Sequence, residues 1–267
     1  MKMFKFALIC AAAMSFAACT CNVCGEKPCV CGQEEVCPDC GENPCVCPDK
    51  YVNPISVTDG SAADWDALPA AFVATTTHAE GASMDGLKSV KVYADQMYIN
   101  LLVEVNDEVV TDRAWTPFHV YINADNNAAT GGFGDQWITP DVDVMLETAI
   151  FADGAAQYNP AVFKWWGADG ESGWLWTDPE NPGTADNGWG AVVPEGSMPI
   201  GVAQMVDGKI EIQLLWELIP ANWAGDKFTV GFDIQQSWES VGILPNAADD
   251  ETGAEVLAEK LEVTFNK

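Results

Sequence analysis

Residues 118–147 contain the most informative pattern of the chain and read FHVYINADNNAATGGFGDQWITPDVDVMLE. It begins with an alternating strand at residues 119–123 and enters a turn at residues 125–127, where short oxygen-bearing side chains favour bonding to their own backbone. A second alternating segment follows, with three carboxylates spaced for one face: Asp141, Asp143 and Glu147. Valine and leucine occupy the alternate positions, so the pattern predicts strand, turn and strand with one apolar and one oxygen-rich face.

The same period of two recurs along the rest of the chain. Alternating apolar residues predict strands at 90–94, 98–105, 202–206, 210–216, 228–234 and 261–265. Asp207-Gly208 is a type I′ hairpin signal, and a short helical turn is expected within residues 215–224. No segment of comparable length has a helical period with caps. The chain is therefore predicted to be all-β, an antiparallel, jelly-roll-like β-sandwich in which two sheets bury their apolar faces against each other.

The turn in the quoted stretch also predicts a cation site. Calcium takes roughly 6–8 oxygen ligands from carboxylates, amides and backbone carbonyls. The candidate ligands here are Asp125, Asn127, Asp143 and Glu147. The alternative is an acidic, solvated face on an acidic protein.

The same residues carry a family resemblance. The matching positions are Asp125, Asn126, Thr130, Gly131, Asp143 and Glu147, with departures at Asn123 and Val144. The run resembles the strand-turn-strand of family 9 carbohydrate-binding modules and of related DOMON-like sandwich domains. The segments at residues 64–66 and 238–245 resemble further elements of Bacteroidetes lipoproteins of this kind. The resemblance covers residues 51–267 and implies a β-sandwich that binds glycan or, in some DOMON-like relatives, haem.

Residues 1–18 have the pattern of a lipoprotein signal peptide. Lys2 and Lys5 form a positive start, and the apolar run that follows is too short to span a bilayer. Small residues then precede Cys19, as in a bacterial lipobox. Cys19 is therefore the expected lipidation site, and a plain signal peptide cut near Ala18 is the alternative.

Residues 19–50 form a cysteine-rich tandem repeat, C-x2-C-G-E-x-P-C-V-C twice. The repeated cysteines are Cys21, Cys24, Cys29, Cys31, Cys37, Cys40, Cys45 and Cys47. Each copy can form two disulfides or one tetrahedral zinc site. Export to an oxidising space favours disulfides, and both alternatives give a cross-linked stalk.

Residues 51–267 contain no cysteine and are long enough for one domain with its own core. The formal charge of the chain is −28, which repels nucleic acid and anionic lipid head groups. The expected membrane contact is therefore the lipid anchor alone, and no nucleic-acid partner is expected.

Tryptophans crowd a glycine- and proline-rich segment of the domain. They are Trp165, Trp166, Trp174, Trp176 and Trp189. Loop-borne indoles can stack on the apolar C–H faces of sugar rings, although a tryptophan is also a usual core residue. The sequence thus predicts a non-catalytic lipoprotein of the outer membrane, facing the periplasm or the cell surface, that binds a polysaccharide or oligosaccharide.

Three other functions compete with glycan binding. A haem-binding redox domain needs axial ligands, and the two histidines, His78 and His119, fit ordinary loop and strand positions, so no haem is expected. A structural domain with calcium but no glycan is the other alternative. An enzyme is not expected, because no G-x-S-x-G, H-E-x-x-H or phosphate-loop motif occurs.

Cys19→Ala tests the lipidation prediction. The variant should lose acylation and leave the membrane fraction, as a soluble or unprocessed form, because no thiol remains at the cleavage position. Fractionation and mass spectrometry of the mature N-terminus measure this. Unchanged membrane association would contradict the prediction.

Overall fold

Strands dominate the part of the chain that a computed structural model describes, residues 51–166 and 191–267. They are β1 (Val73–Thr77), β2 (Leu87–Asp95), β3 (Tyr98–Val105), β4 (Trp115–Asn123), β5 (Val144–Ala152), β6 (Ala155–Ala156), β7 (Ala161–Lys164), β8 (Gly201–Val206), β9 (Lys209–Leu215), β10 (Lys227–Gln236), β11 (Glu239–Leu244) and β12 (Leu261–Asn266). One helical turn, α1 (Asp64–Ala67), and two 3₁₀ turns, Ala70–Phe72 and Trp216–Leu218, complete the elements. The predicted all-β class is confirmed.

Hydrogen bonds join these strands into one continuous path, in the order β6-β5-β4-β10-β12-β2-β3-β9-β8. In addition, β1 pairs with β2, β7 with β5 and β11 with β10. All pairs are antiparallel except β12 with β2, which is parallel through Phe265–Ala94 and Asn266–Asp95. The sheet is therefore mixed rather than purely antiparallel as expected, because β12 links β10 to β2. The division into two facing sheets of a jelly roll stays a prediction.

Two hairpin turns have the chemistry that the sequence indicates. Asp95 Oδ1 accepts hydrogen bonds from the backbone N–H groups of Met97 and Tyr98, at 2.8 and 2.9 Å, and so closes the β2–β3 turn. Asp207 and Gly208 both have positive φ, 49° and 79°, as a type I′ turn requires between β8 and β9. The hairpin predicted at Asp207-Gly208 is confirmed, and the strands predicted at 90–94 and 98–105 pair as a second hairpin.

One face of β4 packs in the main hydrophobic core. Phe118, Val120 and Ile122 alternate along that strand and are almost completely buried. Phe118 stacks on Phe232 of β10 with 6.2 Å between ring centroids. β5 and β10 flank β4 within the sheet, and the buried cluster on its apolar face also includes Leu101 of β3 and Ile212 of β9.

The opposite face of β4 supports a second apolar cluster. Tyr121, Trp137 and Met145 belong to it and are 3%, 1% and 3% exposed. The sequence predicts an oxygen-rich face here, but Met145 lies between Asp143 and Glu147 on that face and is buried. The face is therefore part of the interior, because Trp137 folds over it.

A third cluster ties the beginning of the domain to β9. Trp65 of α1 is buried, and its Nε1 donates to Glu211 Oε1 at 2.6 Å. Burial raises the pKa of Glu211, and the hydrogen bond from Trp65 opposes that rise. Among residues 51–166 and 191–267 no cationic side chain pairs with Glu211, and the indole N–H of Trp65 holds this carboxyl group.

Gly231→Ala should destabilise the domain. A Cβ at this position of β10 would lie 2.3 Å from Trp137 Cζ2, so the buried indole would have to move. Overpacking of this kind costs about 1–3 kcal/mol of the free energy of unfolding, measurable by denaturant titration. Adding Trp137→Phe, which shortens the ring, should make the double variant less unstable than the sum of the two single changes. Wild-type stability of Gly231→Ala would refute the close packing.

Candidate functional site

One row of the sheet carries three ionisable side chains on the face opposite the main core. The pairing of strands puts His119 of β4 between Glu147 of β5 and Asp233 of β10, and the row continues to Ile243 and Ala161. Residues paired across antiparallel strands share a face, so the three side chains meet although they are far apart in sequence.

His119 is 4% exposed and faces a carboxylate at each ring nitrogen. Its Nε2 lies 2.9 Å from Glu147 Oε2, and its Nδ1 lies 3.5 Å from Asp233 Oδ2. Asp233 is fully buried, and its Oδ2 also accepts a hydrogen bond from Gln235 Nε2 at 2.8 Å. The imidazole is therefore fixed in orientation by two acids from different strands.

The charge of this row follows from its geometry. Burial lowers the pKa of His119, but its interactions with Asp233 and Glu147 outweigh the burial and raise the pKa from 6.5 to about 9. The ring is consequently a charged imidazolium at neutral pH, donating toward both carboxylates.

A cavity of about 400 Å³ lies over the row, within the size range of small-molecule sites. Three aromatic side chains line it, Tyr121, Phe133 and Trp238. The remaining lining residues are His119, Gln136, Met145, Glu147 and Gln235. The cavity thus combines apolar ring faces with a few polar groups.

Two of the aromatic residues that line the cavity, Phe133 and Trp238, have a positive φ. Ser237 and Trp238 form the two-residue turn between β10 and β11, with φ of 52° and 65°. Phe133 has a φ of 66°. A bulky side chain in the left-handed region is an outlier that costs about 1–3 kcal/mol. Trp238 is nevertheless 66% exposed, so no burial of its ring offsets that cost.

Tyr121 forms the floor of the cavity. Burial raises the pKa of its phenol well above the ordinary value, and the charges of Asp233, Glu147 and Asp135 raise it further. The hydroxyl stays protonated at any physiological pH. Its ring contacts Phe133 and Trp137, at centroid distances of 5.7 and 5.5 Å.

The predicted tryptophan platform is only partly described. Trp165 packs against Phe133 at 6.2 Å between centroids, next to the cavity but not among the residues that line it. The ring of Trp166 lies 4.6 Å from Lys164 Nζ, as in a cation–π contact. Trp174, Trp176 and Trp189 lie outside the described residues, as do Cys19 and the eight repeat cysteines.

The structure separates the predicted calcium ligands into two places. Asp125 Oδ1 accepts from Asn127 N at 3.0 Å, and Asp143 Oδ2 accepts from Ala124 N at 2.8 Å, so both carboxylates brace the turn itself. Glu147 lies four residues farther along, about 13 Å in an extended strand, and contacts His119 instead. Glu147 therefore does not share a ligand set with Asp143.

In residues 51–166 and 191–267, no group of three or more His, Cys, Asp or Glu side chains is arranged to hold a metal ion. Calcium at the turn and zinc in the cysteine repeats stay predictions.

The histidines are placed differently from haem ligands. Both ring nitrogens of His119 face carboxylates, and His78 Nδ1 lies 2.9 Å from Asn246 Nδ2. An iron at His119 would have to displace Glu147 or Asp233. The geometry does not favour the redox alternative.

Sequence reasoning named His119 and Glu147 for other roles and Trp238 within the segment at residues 238–245, but it did not predict that they line one cavity. Tyr121, Gln235 and Trp238 come from β4, β10 and the β10–β11 turn, and only strand pairing brings them together. One signal was present, because Trp238 lies in Gln-Ser-Trp-Glu, between two strand patterns and without glycine, asparagine or proline. A tryptophan at the tip of so tight a turn has few neighbours to bury it.

No protein-family model matches the chain, and neither the curated proteins nor the solved structures contain a match. The family resemblance therefore rests on the residues that carry it. Among the described residues no helix has the length and apolar character needed to cross a membrane.

His119 should make stability depend on pH. Its pKa is raised in the folded state, so its stabilising contribution is complete below about pH 6.5 and is lost as the pH rises through about 9. Denaturant titrations between these values should show a falling free energy of unfolding. The slope should flatten in His119→Gln and persist in the control His78→Gln. Equal slopes in all three proteins would refute the assignment.

Proposed function

We propose that residues 51–267 bind glycan, without catalysis, in the cavity around Trp238. The observation that carries the proposal is an indole held 66% exposed on left-handed backbone at the rim of that cavity. Strain in a folded protein is retained where it serves a function, and an exposed ring contributes little to the core. A ring in this position is available to stack on a ligand.

The chemistry of the cavity supports a sugar. Sugar rings present apolar C–H faces and a rim of hydroxyls, so a site for them needs aromatic faces beside hydrogen-bonding groups. Trp238 and Tyr121 supply the faces. Glu147, Gln136 and Gln235 supply the hydrogen-bonding groups.

The proposal includes the position of the protein in the cell. After removal of the signal peptide, acylated Cys19 would anchor the protein at the outer membrane, and the domain would face the periplasm or the cell surface. The predicted glycan-binding residues Trp174, Trp176 and Trp189 stay part of the proposal and lie outside the described residues, and Trp165 lies against Phe133 of the cavity wall.

Trp238→Gly separates binding from stability. Glycine adopts the left-handed conformation without strain, so the melting temperature should stay equal or rise. Loss of one stacking ring should weaken glycan binding about tenfold or more, if sugars stack as bases do, with about 1–3 kcal/mol per ring. Titration calorimetry measures the affinity, with a panel of cello-, manno-, xylo- and amino-oligosaccharides as probes. Differential scanning calorimetry measures the melting temperature.

Trp115→Ala is the matched control. Trp115 is 45% exposed but does not line the cavity, so its removal should leave glycan affinity unchanged. Unchanged binding by folded Trp238→Gly would contradict the proposed site. Absence of binding to every member of the panel would contradict the proposed function.

A further inference from the structure

The cavity around Trp238 carries surplus negative charge whichever form His119 takes. Two carboxylates, Glu147 and Asp233, face one imidazole, so the row is negative with the ring charged and more so with it neutral. Asp135 is exposed nearby and acts on the Tyr121 phenol. Among the described side chains that line the cavity, none is lysine or arginine.

Two hydrogen-bond donors at the row are already engaged by its carboxylates, and a third, His119 Nδ1, is buried 3.5 Å from Asp233 Oδ2 and out of reach of a ligand. His119 Nε2 is held by Glu147 at 2.9 Å, and Gln235 Nε2 donates to Asp233 at 2.8 Å. Glu147 nevertheless keeps 30% of its side chain exposed. What the row offers to a ligand is therefore an accepting carboxylate, and the ligand must bring the donor.

The aromatic walls favour the same ligand charge. A cation placed over the face of a tryptophan or tyrosine is attracted by the ring quadrupole, and an anion is not. Trp238 and Tyr121 lie in one cavity with Glu147, so a single cationic group can meet a ring face and a carboxylate together.

We propose that this cavity selects glycans that carry free amino groups, hexosamines without N-acetylation, over neutral and acidic glycans. The protonated amine would donate to Glu147 while its sugar ring stacks on Trp238. Uronic acids and sulfated sugars would be disfavoured, because their anions would lie beside Glu147, while the one cationic side chain of the row, His119, already faces two carboxylates. The inference rests on the proposed glycan function and names the sugar class.

Matched disaccharides test the inference with the full-length protein. The β1,4-linked glucosamine dimer and its N,N′-diacetylated form share rings and linkage but differ in charge. Calorimetry at pH 6 and low salt should give at least tenfold tighter binding of the free amine. Added salt should reduce that ratio, and digalacturonate should bind more weakly than either.

Glu147→Gln should bring the ratio of the two affinities close to one while the acetylated dimer still binds. The variant removes the carboxylate charge and keeps a side-chain oxygen that can accept from His119 Nε2. Asp153→Asn is the matched control, because it removes one exposed carboxylate at the β5–β6 turn, away from the lining residues, and should keep the ratio. If the ratio of the two affinities falls in both variants, the overall negative charge of the protein sets the preference, and the local site at Glu147 is overturned.

Three outcomes separate the preference for free amines from the proposed glycan binding. Equal binding of both dimers, lost in Trp238→Gly, would overturn the amine selection and leave glycan binding intact. Binding of dilysine as tight as the amino dimer would overturn the sugar selection, since dilysine has charge but no ring. Absence of binding by every sugar would overturn the proposed function and the inference together.

Discussion

Strand β4 is buried on both faces, and the rest of the structure depends on how its second face is satisfied. One face carries Phe118, Val120 and Ile122 and needs only apolar neighbours. The other face places an imidazole in the interior, where a charge without partners would be prohibitive. Glu147 and Asp233 meet this demand only if β5 and β10 flank β4 in the observed register, because a slip of one residue would turn both carboxylates to the other face. Apolar alternation also excludes a slip of one residue but permits a slip of two, and the polar row excludes that slip as well, because it would move both carboxylates away from His119.

The sequence predicted the parts of the fold that depend on neighbours along the chain. The period of two located β2, β3, β4, β8, β9, β10 and β12, and Asp207-Gly208 located a turn, because these features arise from local backbone preference. The order of strands depends instead on partners such as β4 and β10, about 110 positions apart. Alternation also predicted an oxygen-rich face on β5. That face is partly buried, because Met145 packs in one cluster with Trp137, which is not a neighbour of β5 in sequence. The cavity was missed for the same reason, because its walls come from separate strands.

The acidic composition has a counterpart in the interior. Three buried carboxylates are each held by a different kind of partner, the imidazole of His119 for Asp233, the ammonium of Lys260 for Asp141, and the indole N–H of Trp65 for Glu211. Each partner comes from a distant part of the chain, so none of the three acids is balanced by its own strand. A buried acid is costly alone and specific when paired. In this chain the three acids fasten separate segments to the sheet.

The position of β12 between β10 and β2 has a kinetic consequence. Phe265 and Ala94 are about 170 positions apart, and β4 and β10 are also distant, so many contacts have large sequence separation. The loss of conformational entropy on closing such long loops opposes the early steps of folding, and the contacts that offset this loss form late. Chains of high contact order fold on the scale of milliseconds to seconds rather than microseconds. During that interval the unpaired edges of β10 and β2 are open to other chains, which makes the route to the native state more exposed to aggregation than the finished fold.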